Sequence, residues 1–253
     1  MLNNSLKAKL AAGQTVVGSF VYVPSPMLTE LVGLTGFDFV VIDMEHGPVD
    51  IGTASDMVRA AEWAGVTPII RVTHNSPHLI LRALDIGALG LHVPDISQPE
   101  DARAAVDSVK YGPRGHRGLA NVRAAGYGLS GSLPEYAAAA NEQTILIAHI
   151  EDARAVENLD ALLKVDGIDV YYLGPVDMSN SLGIPGQTKD ARVVQLVEGS
   201  IQRIAAAGKT AGCIAADAET ARRYMELGAR YIACHAITFM ARASRKFIQE
   251  VRA

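Results

Sequence analysis

The chain is short of sulfur, of aromatic side chains and of long apolar runs. Its two cysteines, Cys213 and Cys234, lie in apolar, strand-like stretches without metal-ligand spacing. That excludes a disulfide scaffold or a thiolate metal site and reads as buried thiols in a reducing compartment. No segment reaches the ~18 consecutive apolar residues of a membrane span, and the opening MLNNSLKAKLAAG lacks the apolar core of a signal peptide. A soluble, cytoplasmic protein is expected, without a membrane. The formal charge is only −4, and the basic residues are scattered, so no stripe is offered to a nucleic-acid backbone. No G-x-G-x-x-G follows the first strand and no P-loop occurs, which argues against a doubly wound nucleotide-binding sheet.

What is present is an alternation. With 253 residues, 49% of them hydrophobic, the chain can bury a large core. After a short amphipathic helix (Leu6, Leu10) ended by Gly13, the strand VVGSFVYV leads to a helix from Ser25 to Leu34 and the strand GFDFVVIDMEH. A helix from Ile51 to Trp63 precedes the strand TPIIRVT. Asn75-Ser76-Pro77 then supplies a cap and a first-turn proline for a helix to Ile86. GLHVPDI is the fourth strand, a helix runs from Pro99 to Val109, and YGPRGHRGLANVRAAGYGLSGS is the one long loop before the helix LPEYAAAANEQ. The strands ILIAHI and VYYLG enclose a helix patterned by Val156, Leu159, Leu162 and Leu163 and closed by Gly167. Helices near Ala191 to Ala207 and Glu219 to Leu227 flank AGCIAA, and RYIACHA precedes a last helix from Phe239 to Val251. Gly36, Gly167 and Gly228 each end a helix and enter a strand. Eight strands with crossover helices predict a single α/β domain over residues 1–253, a (β/α)8 TIM barrel.

In such a barrel the chemistry gathers at the carboxyl ends of the strands. The polar residues there are few: Asp43, Glu45 and His46 after strand two, Arg71 on strand three, His149 and Glu151 on strand five, and Gly174-Pro175-Val176-Asp177 after strand six. Alternation puts Asp43 with Glu45, and His149 with Glu151, on one face. Buried charges need partners or a metal. Glu151 and Asp177, ending two successive parallel strands, read as ligands of a divalent cation, with substrate oxygens and water completing the shell, as Mg²⁺ or Mn²⁺ prefer. Zinc is disfavoured, because no H-x-x-x-H or cysteine cluster is present. Arg71 is suited to clamp a substrate carboxylate or to pair with an acid such as Asp43 or Asp85. Backbone N–H groups after Pro175 could bind the same carboxylate. His46 stands where a base would be oriented, His116 lies in the long loop within possible reach of substrate, and His78 and His92 read as structural. No lysine falls at a strand's carboxyl end, so a Schiff base is excluded and carbonyl activation would fall to the metal.

Taken together, GFDFVVIDMEHGP, IIRV, PRGHRG, I-E-D-A and VDGIDVYYLGPVDMSNSLGIPG resemble the HpcH/HpaI aldolase family of metal-dependent pyruvate aldolases, over nearly the whole chain. The resemblance implies Glu151 and Asp177 as metal ligands, with Mg²⁺, Mn²⁺ or Co²⁺ as the ion. It implies Arg71 at the pyruvate carboxylate, His46 as the catalytic histidine and Asp85 as its aspartate partner, from the same or a neighbouring subunit. It also implies amides at Val176 and Asp177 that contact pyruvate, together with Gly174 and Pro175, and a homo-oligomer, a hexamer arranged as a trimer of dimers with the last helix swapped between subunits. One departure is His149, which stands where family members carry glutamine and is therefore expected among the pyruvate-side contacts. The activity implied is reversible cleavage of a 4-hydroxy-2-oxo acid to pyruvate, or a close 2-oxo acid, and an aldehyde through a metal-stabilised enolate. A CoA-ester lyase, a 2-oxo acid decarboxylase and a non-catalytic 2-oxo acid binding protein are the alternatives.

Overall fold

The structure, a computed structural model, describes residues 3–252. Eight strands close into one parallel barrel: β1 (Val16–Val21), β2 (Phe39–Asp43), β3 (Thr67–Arg71), β4 (Gly90–Val93), β5 (Ile145–Ile150), β6 (Val170–Leu173), β7 (Ala211–Ile214) and β8 (Ala229–His235). Each pairs with the next, and β8 closes on β1 through Val16 opposite Tyr231. Among the described residues twelve α-helices surround or cap it: α1 (Ser5–Ala11), α2 (Pro26–Leu34), α3 (Ile51–Trp63), α4 (Pro77–Asp85), α5 (Pro99–Val109), α6 (Leu133–Gln143), α7 (Ala153–Glu157), α8 (Leu159–Leu162), α9 (Pro175–Ser181), α10 (Ala191–Ala206), α11 (Ala218–Glu226) and α12 (Ala236–Arg252). Among the described residues no helix is long and apolar enough to cross a membrane. Cys213 and Cys234 are free thiols and buried.

Strand alternation builds two cores. On β2, Val40 and Ile42 face the surrounding helices, while Phe39 and Val41 face the barrel interior with Ile69, Ile145, Ile147, Val170 and Tyr231. Burial on both faces is why these strands read as nearly continuous apolar runs. Large rings fit inside because small residues oppose them. A Cβ on Gly18 would lie 2.3 Å from the Phe39 ring, which itself stacks on Tyr231 with centroids 4.2 Å apart.

Helix bounds follow local capping. Asp50 accepts the N–H groups of Gly52 and Thr53 at the start of α3, and Ser132 with Glu135 forms a capping box on α6. Both helices span the residues expected from the sequence. Other elements differ. The helix expected between β5 and β6 is split into α7 and α8 at Asn158, whose side chain turns away to donate to the Ser97 carbonyl at 2.9 Å. The GPVD segment is not the end of a strand: Pro175, with its fixed φ and missing N–H, opens α9, so Asp177 sits on the first turn of a helix. Ser76 makes no side-chain cap bond to α4, which keeps only its first-turn proline.

The lower end of the barrel is stopped by α1, whose Leu6 and Leu10 are buried. Asn4 locks this plug. Its side chain donates to the carbonyls of Leu89 (3.0 Å) and Gln143 (2.8 Å) and accepts the N–H of Lys7 as the N-cap. Asn4→Ala removes a cap and leaves the Gln143 carbonyl without a donor, while the Leu89 carbonyl keeps the N–H of Ile145, so a loss of about 2 kcal/mol is expected in urea unfolding. A loss below about 0.5 kcal/mol, the range of an unimportant surface change, would contradict this account.

At the other terminus, α12 buries none of its residues against its own chain, and it exposes Phe239, Met240, Phe247, Ile248 and Val251.

Candidate active site

The carboxyl ends of β2 and β3 build a charged clamp. Asp43 lies opposite Arg71 in register, so their side chains meet on the inner face. Arg71 donates through Nε to Asp43 Oδ1 at 2.9 Å and through Nη2 to Oδ2, and its Nη1 stands 3.0 Å from Glu45 Oε2. The guanidinium is buried, with Cζ 4.9 Å from the centre of the Phe20 ring. Of the two acids weighed as its partner, Asp43 is the one it meets. Burial opposes the charge of Asp43, but the hydrogen bond and charge of Arg71 outweigh it and hold the carboxyl below its usual range. Two of the five guanidinium N–H donors are hydrogen-bonded to Asp43 and Nη1 forms an ion pair with Glu45, so both terminal nitrogens keep N–H groups for a substrate.

Across the mouth, Glu151 follows β5 and Asp177 follows β6. They flank Gly174, where an added Cβ would stand 3.1 Å from Glu151 Oε2 and 3.6 Å from Asp177 Oδ2. Glycine is required there because any side chain would fill the gap between the two carboxylates. Glu151 is buried and held at both oxygens, Oε1 by the N–H of Asp95 at 3.1 Å and Oε2 by His149 Nδ1 at 2.9 Å. Asp95 adopts a left-handed φ of 58° to present that N–H, a conformation aspartate tolerates better than most residues. Burial opposes ionisation of Glu151, yet the attraction and hydrogen bond of His149, with the Asp95 N–H, bring its carboxyl down to about 2. Asp177 moves the other way, raised first by burial and then by the charge of Glu151. Glu45 is raised by burial, which with the charge of Glu151 outweighs Arg71.

Four carboxylates therefore share this mouth with one guanidinium, and two of them resist ionisation as they stand. A divalent cation between Glu151 and Asp177 relieves that repulsion, and an all-oxygen donor pair suits a hard ion. Among the described residues no cluster of three or more His, Cys, Asp or Glu is arranged to hold a metal. Two carboxylates completed by substrate and water are the usual holding set for Mg²⁺.

The histidines divide. His46 is exposed at the rim, with Nε2 3.9 Å from Glu45 Oε2 and its backbone N–H donating to Asp43 Oδ1 at 3.3 Å. Gly47 beside it lets the chain double back closely, since a Cβ there would meet the carbonyl oxygens of Asp43 and Tyr22 at 2.5 and 2.6 Å. Asp85 is not brought to His46 within this chain. It ends α4, which runs away from the mouth, and pairs with the buried Arg117 at 2.9 Å. His149, expected at the pyruvate side, is buried with both ring nitrogens engaged, Nδ1 by Glu151 and Nε2 by His92 Nδ1 at 2.7 Å, so its ring has no free polar atom for substrate. His116 pairs with Asp107 near the end of α5 that leads away from the mouth. No motif in the sequence singles out His235, yet it ends β8 inside the mouth, 5.5 Å from the Phe20 ring and 5.7 Å from Tyr22, and its Nδ1 is buried without a partner among the described residues. The period-2 pattern of RYIACHA already put it on the inner face with Tyr231 and Ala233. Pro175 is buried at the start of α9, while Val176 is exposed and its N–H, with that of Asp177, belongs to a first helical turn that has no intrahelical acceptor.

Comparison with known proteins follows the same outline. A family model described as HpcH/HpaI aldolase/citrate lyase matches residues 17–240. A 5-keto-4-deoxy-D-glucarate aldolase of Salmonella paratyphi C is 36% identical over 230 residues, 91% of this chain and 89% of the relative. A hydroxypyruvate/pyruvate aldolase of Deinococcus radiodurans is 36% identical over 245 residues, 96% and 88% of the two chains. The crystal structure of an HpcH/HpaI aldolase/citrate lyase family protein from Burkholderia cenocepacia superimposes with a TM-score of 0.94 at 33% identity, covering 99% of this chain and 100% of that one.

Proposed function

The chain belongs to the HpcH/HpaI aldolase/citrate lyase family and is an aldolase, a carbon–carbon lyase, and from that premise we propose that it reversibly cleaves 4-hydroxy-2-oxo acids to pyruvate and an aldehyde. The observation that carries this reading is the convergence, at one end of the barrel, of the Glu151 and Asp177 carboxylates with a guanidinium held from behind by Asp43 and Glu45. Glu151 and Asp177 would hold Mg²⁺ or Mn²⁺, with Co²⁺ as a substitute. When bound, the cation supplies Lewis-acid polarisation of the 2-oxo group.

The remaining work belongs to the chain's own residues. The Val176 and Asp177 amides at the start of α9 receive the substrate carboxylate. The free N–H groups on the terminal nitrogens of Arg71 donate to the 2-oxo oxygen and strengthen as it gains enolate charge. His46 accepts the proton of the 4-hydroxyl. As that proton leaves, the C3–C4 bond breaks, its electron pair enters the pyruvate enolate, and the aldehyde departs. In the condensation direction His46 returns the proton. At the rim His46 is open to solvent, which lets it exchange that proton between turnovers.

Two features of the single chain fit a homo-oligomer, and we extend the proposal to a hexamer. The unburied apolar face of α12 would pack on a neighbouring subunit. Asp85, at the far end of α4 from its own His46, would reach a histidine only across a subunit boundary. The activity is tested by pyruvate release, coupled to lactate dehydrogenase, from 5-keto-4-deoxy-D-glucarate and simpler 4-hydroxy-2-oxo acids with Mn²⁺ present. Metal-dependent release from at least one is expected. No release from any, by protein shown to take up the ion, would sink the proposal.

A further inference from the structure

A file of hydrogen bonds runs down the barrel interior behind Glu151. His149 Nδ1 meets Glu151 Oε2 at 2.9 Å, His149 Nε2 meets His92 Nδ1 at 2.7 Å, and His92 Nε2 meets the Tyr231 hydroxyl at 2.8 Å. All three rings are buried: His92 and Tyr231 are fully enclosed and His149 is 2% exposed. The rings also brace one another, with His92 edge-on to His149 (5.0 Å), to Tyr172 (4.9 Å) and to Phe20 (5.3 Å). The file crosses the barrel, since β4 and β8 lie on opposite sides of the closed sheet.

With both imidazoles neutral, one polarity satisfies every donor of the file. The Glu151 carboxylate can only accept, so His149 donates from Nδ1. Among the described residues the Tyr231 hydroxyl meets no acceptor other than His92 Nε2, so it donates there, and His92 then donates from Nδ1 to His149 Nε2. Every proton in the file points toward the mouth. A ring nitrogen that must accept from behind is held to one tautomer, and that tautomer is the one that donates to the carboxylate in front.

From this geometry we infer that His92 and Tyr231 are positioning residues. Acting through His149, they lock the plane of the Glu151 carboxylate so that its remaining lone pairs face the cation site beside Gly174. The inference rests on the reading of Glu151 as a cation ligand. A network that only filled the barrel would have no need to end on a mouth carboxylate. Glu151 is held from two directions, by His149 and by the Asp95 N–H, and Gly174 runs so near that a Cβ added there would lie 2.9 Å from the Glu151 Cβ.

The test is Mn²⁺ binding to metal-free, full-length protein by titration calorimetry, with secondary structure and melting followed in parallel. Outer hydrogen-bond partners of metal ligands change affinity by about 10- to 100-fold. His92→Leu is expected to weaken Mn²⁺ binding about 10-fold and Tyr231→Phe, two bonds further back, about 3-fold, by the same reasoning. In a His149→Leu background each change should move the affinity by less than about twofold, because leucine can neither accept from His92 nor donate to Glu151 and the connection has already been cut. Folded His92→Leu protein that binds Mn²⁺ as the wild type does would overturn the inference, as would an undiminished effect in the His149→Leu background. If His92→Leu does not fold, Tyr231→Phe, which removes one hydroxyl, decides by the same two criteria. Wild-type protein that takes up no Mn²⁺ would overturn the cation reading itself, a result distinct from equal binding by all variants.

Discussion

Exhaustive chelation is expected to reduce aldol cleavage to background while the barrel stays folded, and added Mn²⁺ or Mg²⁺ should restore it. The magnitude follows from the charges in the mouth. Asp43, Glu45, Glu151 and Asp177 face the single guanidinium of Arg71, so without a cation the site presents excess negative charge to a substrate that is itself an anion. Both binding and enolate stabilisation fail together. Folding should survive, because the apolar residues that hold the barrel lie on the helix-facing side and in the lower interior, away from Glu151 and Asp177. Undiminished turnover by protein shown by elemental analysis to be free of metal would remove the mechanism. Asp177→Ala should behave as the chelated protein does.

Replacing His46 with alanine should slow aldol cleavage by about 10²- to 10⁴-fold, the usual contribution of a positioned acid or base. Pyruvate binding should persist, since the residues assigned to it do not include the imidazole. The role can be isolated with oxaloacetate, whose decarboxylation forms the same enolate but has no 4-hydroxyl proton to remove. His46→Ala should spare that reaction largely, whereas Asp177→Ala should suppress both. The comparison is read above the rate of the metal ion alone. If His46→Ala lowered decarboxylation and aldol cleavage in equal proportion, with ion uptake and folding unchanged, His46 would be acting on the enolate and not on the hydroxyl.

How far these residues were legible in the sequence depends on what each assignment required. Alternation along a strand needs only local information, so Asp43 with Glu45 and His149 with Glu151 could be put on the inner face by counting in twos. Caps are local too, and α3 and α6 begin where Asp50 and Ser132 announce them. Partner choice is not local. That Arg71 would take Asp43 and not Asp85 depends on the register of β2 against β3 and on α4 running away from the mouth. That His149 would be consumed by Glu151 and His92 depends on the closure of the whole barrel, which sets β4 beside β5 and opposite β8. The short helix α9 had a local signal, Pro175 after glycine, that was outweighed by the apolar run before it. Asn158 breaks the helix between β5 and β6 for a distant carbonyl, which no window on the sequence contains.

The file from Tyr231 to Glu151 also constrains how this barrel can vary. Changing His149 alone strands a buried N–H on His92, and changing His92 alone strands a hydroxyl on Tyr231 and a ring nitrogen on His149. Each such orphan costs about 1–3 kcal/mol. Exchanging His92 and Tyr231 together for apolar side chains of similar size, with a residue at 149 that can donate to Glu151 unaided, leaves no orphan. Substitutions at these three positions are therefore expected to enter a lineage as a block, and a homologue that carries one of the three should carry the others.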